Sequence, residues 1–219
     1  MTKTKAHLTK SIAALTASLL LGTTGYASLI YDNTDAASSK NKAYAPPGGN
    51  VEFGDQVFLS GSERRITDFS FDYFLSATPS GNETGQLFFY KNDGGATASE
   101  PGTLLYQSGT FNLNSGFQRL PAQGLSVDVP NTFTWTVKFS GVDLGETAGL
   151  LVYDPPAVGA SLDDFWVKNT SGGWSTFLID ANTPANFAAR ITAVPEPTTL
   201  ALGLLGGLAL LANRIRRKA

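Results

Sequence analysis

Hydrophobic and polar residues alternate over short stretches of the central chain. The clearest stretch is FTWTVKF, residues 133–139, whose odd-numbered positions are all aromatic or aliphatic. The positions between them are Thr134, Thr136 and Lys138. A period of two residues places alternate side chains on opposite faces of a β-strand. The pattern therefore predicts a half-buried antiparallel strand with its polar side chains on the solvent face.

The segment TDFSFDYFL, residues 67–75, has the same alternation. Its predicted inward positions are Phe69, Phe71, Tyr73 and Leu75, and its outward positions are Asp68, Ser70 and Asp72. Other short apolar runs are SLIYDN, VEFGDQVFL, QLFFYKN, TLLYQSGTFNL, GLLVYD, DFWVKN, WSTFLID and NFAARITA. Turn-forming sequences such as NDGG and SGG separate them. About ten strands without a long helical period predict an all-β fold, either a two-sheet antiparallel β-sandwich or a jelly roll.

The first 27 residues have the three parts of a secretory signal peptide. Lysines precede an apolar run from Ile12 to Leu21, and small residues end the segment at Ala27. The apolar run is too short to span a bilayer and has no polar face. Because Gly25 and Ala27 satisfy the small-x-small rule, we predict cleavage between Ala27 and Ser28.

A second apolar segment, residues 200–212, lies near the carboxyl end. The basic residues that follow it are Arg214, Arg216, Arg217 and Lys218. Together with the two threonines before it, the segment makes a helix of roughly 22 Å, shorter than the ~30 Å hydrocarbon core. The positive-inside rule keeps the basic cluster cytoplasmic and the body outside. So short a span suits transient anchoring better than permanent anchoring.

Val194-Pro195-Glu196-Pro197, the apolar helix and the basic cluster together resemble the PEP-CTERM sorting signal of Gram-negative bacteria. The resemblance covers residues 194–219. It implies that the protein is a substrate of an exosortase, a membrane-embedded protease that cuts near the Pro-Glu-Pro motif and releases or re-anchors the body. Proline lacks an amide donor and holds the preceding residue extended, which suits a protease substrate. The alternative is a stiff linker ahead of an ordinary tail anchor.

The chain is thus predicted to have a signal peptide at residues 1–27, a β-sandwich body at 28–193 and a sorting tail at 194–219. The body loosely resembles the choice-of-anchor β-domains that occur with such tails. Charge is distributed unevenly along the chain, which has a net charge of only −2 over its 219 residues. Residues 28–194 carry 9 lysines and arginines against 17 aspartates and glutamates, a net charge of −8. So acidic a body does not suit nucleic acid or anionic lipid as a partner.

Composition removes most catalytic chemistry from the mature chain. Cysteine is absent, and the one histidine, His7, lies in the predicted signal peptide. Ser-His-Asp and Cys-His sites and zinc sites built on His or Cys are therefore excluded. A carboxylate pair, as in glycoside hydrolysis, remains, with candidates Glu52, Asp68, Asp72, Glu146, Asp163 and Asp164. Because Asp68 and Asp72 fall on the predicted solvent face, we predict no catalytic residue and a protein that is not an enzyme.

Calcium is the metal that the acidic side chains would suit, because it prefers hard oxygen ligands. The candidates are Asp32, Asp35, Asp93, Asp163 and Asp164. Their spacing matches no EF-hand loop or dense acidic repeat, and surface solvation explains them equally well. We therefore predict no metal and no cofactor.

Trp166 and Trp174 flank the turn sequence KNTSGG. An exposed aromatic side chain on a sandwich face can stack on a sugar ring by offering a flat apolar platform. The alternative is that both tryptophans fill the core, as is expected of Trp135.

The sequence predicts an exported, exosortase-sorted, non-catalytic protein of the cell surface or extracellular matrix, associated with exopolysaccharide or biofilm. A membrane-tethered precursor would precede it. Two other functions stay open for the body, a carbohydrate-binding module and a carboxylate-dependent glycosidase. The expected partners are the exosortase, extracellular polysaccharide and, before processing, the membrane.

Overall fold

The computed structural model describes most of the chain between residues 26 and 196. The described ranges are 26–34, 42–47, 50–76, 78–97, 99–180 and 183–196, with helical residues at 203, 206–208 and 214–215. Ala27–Val194 forms one compact unit, and the terminal segments are grouped as another. The predicted signal peptide up to residue 25 lies outside the described residues, as do Asp35, Pro197, Arg216, Arg217 and Lys218.

Fourteen strands occur in the described ranges, and all named pairings are antiparallel. They are β1 (Ser28–Asp32), β2 (Lys42–Tyr44), β3 (Glu52–Phe58), β4 (Arg65–Leu75), β5 (Thr84–Lys91), β6 (Leu104–Gln107), β7 (Phe111–Asn112), β8 (Gly116–Asp128), β9 (Thr132–Ser140), β10 (Ala148–Val152), β11 (Ala160–Ser161), β12 (Phe165–Lys168), β13 (Trp174–Phe177) and β14 (Ala189–Val194). The prediction of an all-β antiparallel fold is confirmed.

The strands form two sheets. The six-stranded sheet has the order β1-β14-β4-β10-β2, and β8 pairs with β4 along its whole length. Because β8 occupies one edge of β4, β14 and β10 share the opposite edge. The eight-stranded sheet has the order β13-β12-β3-β9-β5-β6, with β11 beside β3 and β7 beside β5.

An aromatic core joins the inner faces of the two sheets. Phe69 and Phe71 of β4 contact Trp135 of β9, with ring centroids 5.3 and 5.9 Å apart. Phe69 also lies 5.0 Å from the ring of Phe89 on β5. All four rings are at most 1% exposed, so the alternation of β4 and β9 faces a shared interior, as in a β-sandwich.

The alternation in β4 and β9 is confirmed on its apolar side and corrected on its polar side. Phe133, Trp135, Val137 and Phe139 are fully buried. Thr134 and Thr136, however, are also fully buried, although the sequence placed them toward solvent. β9 is central in its sheet, and side chains from neighbouring strands cover its outer face.

Candidate functional site

Trp166 and Trp174 lie on the outer face of the eight-stranded sheet. Phe165 and Val167 of β12 pack toward the core, so Trp166 and Lys168 between and beside them point outward. Trp174 stands opposite Lys168 in the β12–β13 pair. Both tryptophans are partly exposed, and neither belongs to the core, which Trp135 does enter. The expectation of core filling is therefore wrong for these two side chains.

Glu52 is the centre of a polar network beside the tryptophans. It is 7% exposed, and its position opposite Lys168 in the β3–β12 pair brings the two charges together. Glu52 Oε1 accepts hydrogen bonds from the Tyr90 hydroxyl at 2.8 Å and the Thr136 hydroxyl at 3.0 Å. Glu52 Oε2 lies 3.2 Å from Lys168 Nζ. This buried carboxylate is satisfied by three donors from three neighbouring strands, as a buried charge requires.

Lys168 joins the polar network to the aromatic rings. Its Nζ lies 5.2 Å from the ring centre of Tyr90 and 5.1 Å from that of Trp174. The same Nζ donates to the Tyr90 hydroxyl at 3.2 Å. The Tyr90 and Trp174 rings meet edge to face, with centroids 5.3 Å apart. Both distances from Lys168 Nζ are within the range of attractive cation–π contacts.

Burial raises the pKa of Tyr90 well above its ordinary value, and the nearby Glu52 raises it further. Tyr90 is therefore a neutral phenol that donates its proton to Glu52. We call Glu52, Tyr90, Trp166, Lys168 and Trp174 the aromatic face. It combines flat apolar rings with groups that form hydrogen bonds.

The neighbouring row of the same sheet face is also polar. Asn92 Nδ2 donates to Gln56 Oε1 at 2.6 Å, and Thr134 donates to Asn92 Oδ1 at 2.8 Å. Between the rows lies Gly54, which stands opposite both Trp166 and Thr136. A Cβ at Gly54 would overlap the carbonyl group of Trp135, so glycine is required there. Because Gly54 has no side chain, the β3 backbone forms the sheet surface beside Trp166.

Asp68 and Asp72 are too far apart to act as a glycosidase pair. Asp68 and Asp72 share one strand face four residues apart, about 13 Å along β4, whereas glycosidase pairs are roughly 5 to 9.5 Å apart. Asp72 is 6% exposed because Arg119 covers it, which corrects its predicted solvent position. Glu146 accepts the amide protons of Ser80 and Asp143 in a loop.

Asp163 and Asp164 directly precede β12, as predicted, and line an open depression of about 660 Å³. The exposed side chains of Leu162, Phe177 and Leu178 line the same depression. Among the described residues that line this depression, there is no third carboxylate.

The candidate calcium ligands are dispersed. Asp32 Oδ1 accepts two hydrogen bonds from Thr34, and Asp93 accepts two from Thr103. Over the described ranges, no group of three or more acidic or histidine side chains is placed to hold a metal ion.

The predicted processing sites lie at the ends of paired strands. β1 begins at Ser28, directly after the exposed Ala27, and β14 ends at Val194. Pro195 and Glu196 follow β14 outside any strand and are partly exposed. In the part of the chain that the structure describes, no helix is both long and apolar enough to cross a membrane.

Comparison with known proteins gives no family assignment. No protein-family model matches the sequence, and no match was found among curated proteins or solved structures.

The sequence indicated the two tryptophans and included Glu52 among the candidate carboxylates, but it did not place them at one site. The outward position of Glu52 could have been predicted, because Val51, Phe53 and Val57 have inward phase. The hydrogen bonds that connect Glu52 with Tyr90 and Lys168 could not have been predicted, because the three residues come from strands far apart in the chain.

Proposed function

We propose that the protein is an exported, exosortase-processed, non-catalytic protein of the cell surface or extracellular matrix of a Gram-negative bacterium. The observation that carries the proposal is the position of both predicted cuts just outside the folded body. The first would fall before Ser28, where β1 begins, and the second after Val194, where β14 ends. Two cuts at these positions would leave every strand of the two sheets intact.

The termini of the body also lie side by side. Ser28 pairs with Ala193 across the β1–β14 ladder. The chain therefore enters and leaves the body at adjacent points of the six-stranded sheet. A body with neighbouring ends can fold while both flanking segments are held at one membrane surface, which supports a tethered precursor.

Mass spectrometry of the protein released by the native host tests the proposal. We expect a mature amino terminus at Ser28 and no peptide that runs through residues 200–214. Whole cells should contain a longer precursor that carries those residues. A released protein that retains His7 or the basic cluster would contradict export and sorting as proposed.

A second function is favoured for the body by the aromatic face. Trp166 and Trp174 lie outside the core on a sheet face, beside hydroxyl, amide and charged groups. Sugars present apolar C–H faces that stack on indole rings and hydroxyl groups that exchange hydrogen bonds with such side chains. We propose that this face contacts polysaccharide in the matrix.

Replacing Trp166 and Trp174 together by alanine should weaken glycan binding by about tenfold or more, because the stacking platforms are lost. Glycan-array binding of the secreted protein, followed by titration of the best ligands, gives the measurement. Phe177→Ala is a matched control, since Phe177 is a half-exposed aromatic residue of β13 outside the aromatic face. Equal binding by the double variant and the wild type would remove this function. Release of shortened sugars, abolished by one Asp→Asn change, would instead support a glycosidase.

A further inference from the structure

The outer face of the six-stranded sheet carries a shallow groove that lies on either side of Arg119. One part, of about 380 Å³, is lined by Asp68, Ser70, Arg119, Gln123, Arg190 and Thr192. The other part, of about 260 Å³, is lined by Phe117, Arg119, Leu151 and Tyr153 and has Asp72 at its floor. We call these residues the Arg119 groove. It lies on the side of the molecule opposite the aromatic face, because the two sheets pack by their inner faces.

Arg119 is held in a fixed orientation at the middle of the groove. Its Nε and Nη2 donate to the two carboxylate oxygens of Asp72 at 2.6 and 2.8 Å. The Asp72 side chain is 8% exposed, whereas 47% of the Arg119 side chain is exposed. Because the Arg119 guanidinium is bound to Asp72 through Nε and Nη2, its Nη1 protons point away from Asp72. The groove therefore contains a rigid pair of donors whose charge is already balanced.

The larger part of the groove combines donors and acceptors around a small residue. Ser70 stands between Arg190 of β14 and Pro121 of β8, and its short side chain leaves room above the sheet. Two residues earlier on β4, Asp68 lies between Thr192 of β14 and Gln123 of β8. Asp68 Oδ2 accepts a hydrogen bond from the Thr192 hydroxyl at 3.0 Å, so Asp68 Oδ1 can accept a hydrogen bond from a ligand.

The smaller part of the groove is apolar. Phe117 is 59% exposed, and its ring packs against Phe74 with centroids 4.9 Å apart. Leu151 and Tyr153 form a small hydrophobic cluster with Phe74 on this same sheet face. The exposed ring of Phe117 is therefore fixed beside the polar groups instead of being free in solution.

We propose that the Arg119 groove is a binding site for a neutral polysaccharide chain. Planar side chains such as Asp, Gln and Arg can hold adjacent sugar hydroxyls by paired hydrogen bonds, and an exposed ring can stack on a sugar face. The combined volume of the two parts is in the range of ligand-binding clefts, and both parts are shallow and open to solvent, which leaves room for a chain to extend beyond them. The groove is lined by two arginines and two aspartates and so has no excess positive charge, and the acidic body disfavours an anionic polymer.

This site stands independently of the aromatic face. If both faces bind glycans, one molecule would bridge two polysaccharide chains. This bridging rests on the function proposed for the aromatic face, whereas the Arg119 groove does not. Bridging gives higher avidity on a polymer than either site alone. A protein with two opposed glycan sites would cross-link a matrix as well as coat it.

Titration calorimetry of the secreted protein with cellohexaose, xylohexaose and mannohexaose tests the groove. Arg119→Lys keeps a positive charge against Asp72 but loses the two-pronged geometry. We expect it to weaken binding of the preferred probe by about tenfold. Gln123→Ala should weaken binding in the same direction. The matched control is Arg65→Lys, because Arg65 forms the same two-pronged pair with Asp128 between β4 and β8 outside the groove.

The variants also separate the two faces. Titration of the Trp166→Ala, Trp174→Ala double variant should still reveal one site that is sensitive to Arg119→Lys. Wild-type affinity in both Arg119→Lys and Gln123→Ala would overturn the proposal. So would tighter binding of acidic alginate oligosaccharides than of the neutral probes, or no binding of any neutral probe. Loss of all binding in the tryptophan variant alone would assign the ligand to the aromatic face and overturn a site at Arg119.

Discussion

Replacing Pro195, Glu196 and Pro197 together by alanine is expected to stop release of the protein and leave a membrane-held precursor. β14 ends at Val194, which pairs with Arg65 of β4. Proline cannot donate to a strand ladder and restricts the residue before it, so we expect the two prolines to favour an extended, unpaired segment after β14. Alanines would allow the strand or the following helix to continue through it. Immunoblots of membrane and culture fractions should therefore show a shift from mature to precursor size.

Two controls separate loss of processing from loss of folding. Pro130→Ala changes a proline in the connection between β8 and β9, so it should be released at normal size. Glu196→Gln retains both prolines and the extended backbone, so it isolates the contribution of the charge. Normal release of the triple-alanine protein with a wild-type carboxyl terminus would contradict the sorting role of the motif.

The sheets could be predicted wherever one face of a strand is buried and the other is polar. The inward residues of β4 are apolar at every second position from Phe69 to Leu75, and those of β9 from Phe133 to Phe139. Burial of one face gives the period of two that sequence reasoning detects. Both strands therefore lie where the alternation placed them.

The longest strand, β8, was not predicted, and its composition explains why. It contains Pro121, and a register shift accompanies Gly124, whose φ is +68°. Among the described strands, β8 pairs with β4 alone, so the absence of an amide proton at Pro121 removes no hydrogen bond to a second neighbouring strand. Its inward positions include Gly116 and Gln118, which weakens the apolar period. Edge strands tolerate residues that central strands exclude, and this hides them from pattern analysis.

The sequence indicated Trp166, Trp174 and Glu52 separately, but not the contacts that join the site. Turn sequence and aromatic type singled out Trp166 and Trp174, but polarity alone placed Thr136 and Asp72 in solvent. The structure covers both because a partner from another strand lies over each, Glu52 over Thr136 and Arg119 over Asp72. The residues of these two pairs are 84 and 47 positions apart in the sequence, and a local hydrophobic period gives no information on contacts at that separation.

Asp55 is a further polar side chain whose burial local patterns did not indicate, and it lies in the interior. It occupies an inward position of β3 and is fully buried. One oxygen, Oδ2, accepts the amide proton of Phe187 at 3.2 Å, while Oδ1 has no hydrogen-bond partner among the described residues. Burial raises the pKa of Asp55 well above its usual range, against smaller opposing effects of hydrogen bonds. The buried hydroxyl of Tyr31 lies near it and also has a raised pKa.

The sign of the pH dependence follows from the direction of that shift. A carboxyl group whose pKa is higher in the folded state binds its proton more tightly there than in the unfolded chain. Its contribution to stability is therefore fully present below the unfolded pKa of about 3.9 and is lost as pH rises through the folded pKa. Between the two pKa values the folded protein keeps a proton that the unfolded chain releases, and above the folded pKa it buries an uncompensated charge.

Asp55→Asn is therefore expected to be more stable than the wild type at pH 8 and nearly equal to it at pH 4. The amide remains neutral at every pH, its oxygen can accept from Phe187, and its NH₂ can donate toward the nearby hydroxyls of Tyr31 and Ser161. Relief of the buried charge should add about 1 to 3 kcal/mol at pH 8. For a domain of this size, each kcal/mol raises the Tm by about 2–4 °C.

Thermal unfolding from pH 4 to pH 8, followed by circular dichroism, measures the difference between the two proteins. The matched control is Asp128→Asn, an exposed aspartate whose pKa the Arg65 guanidinium lowers through a hydrogen bond. Its contribution has the opposite sign, because it is present above the unfolded pKa and lost as pH falls. The Asp128 variant should therefore be no more stable than the wild type at pH 8. A Tm difference between Asp55→Asn and wild type that stays constant over this pH range would show that Asp55 does not titrate there, and would contradict the raised pKa.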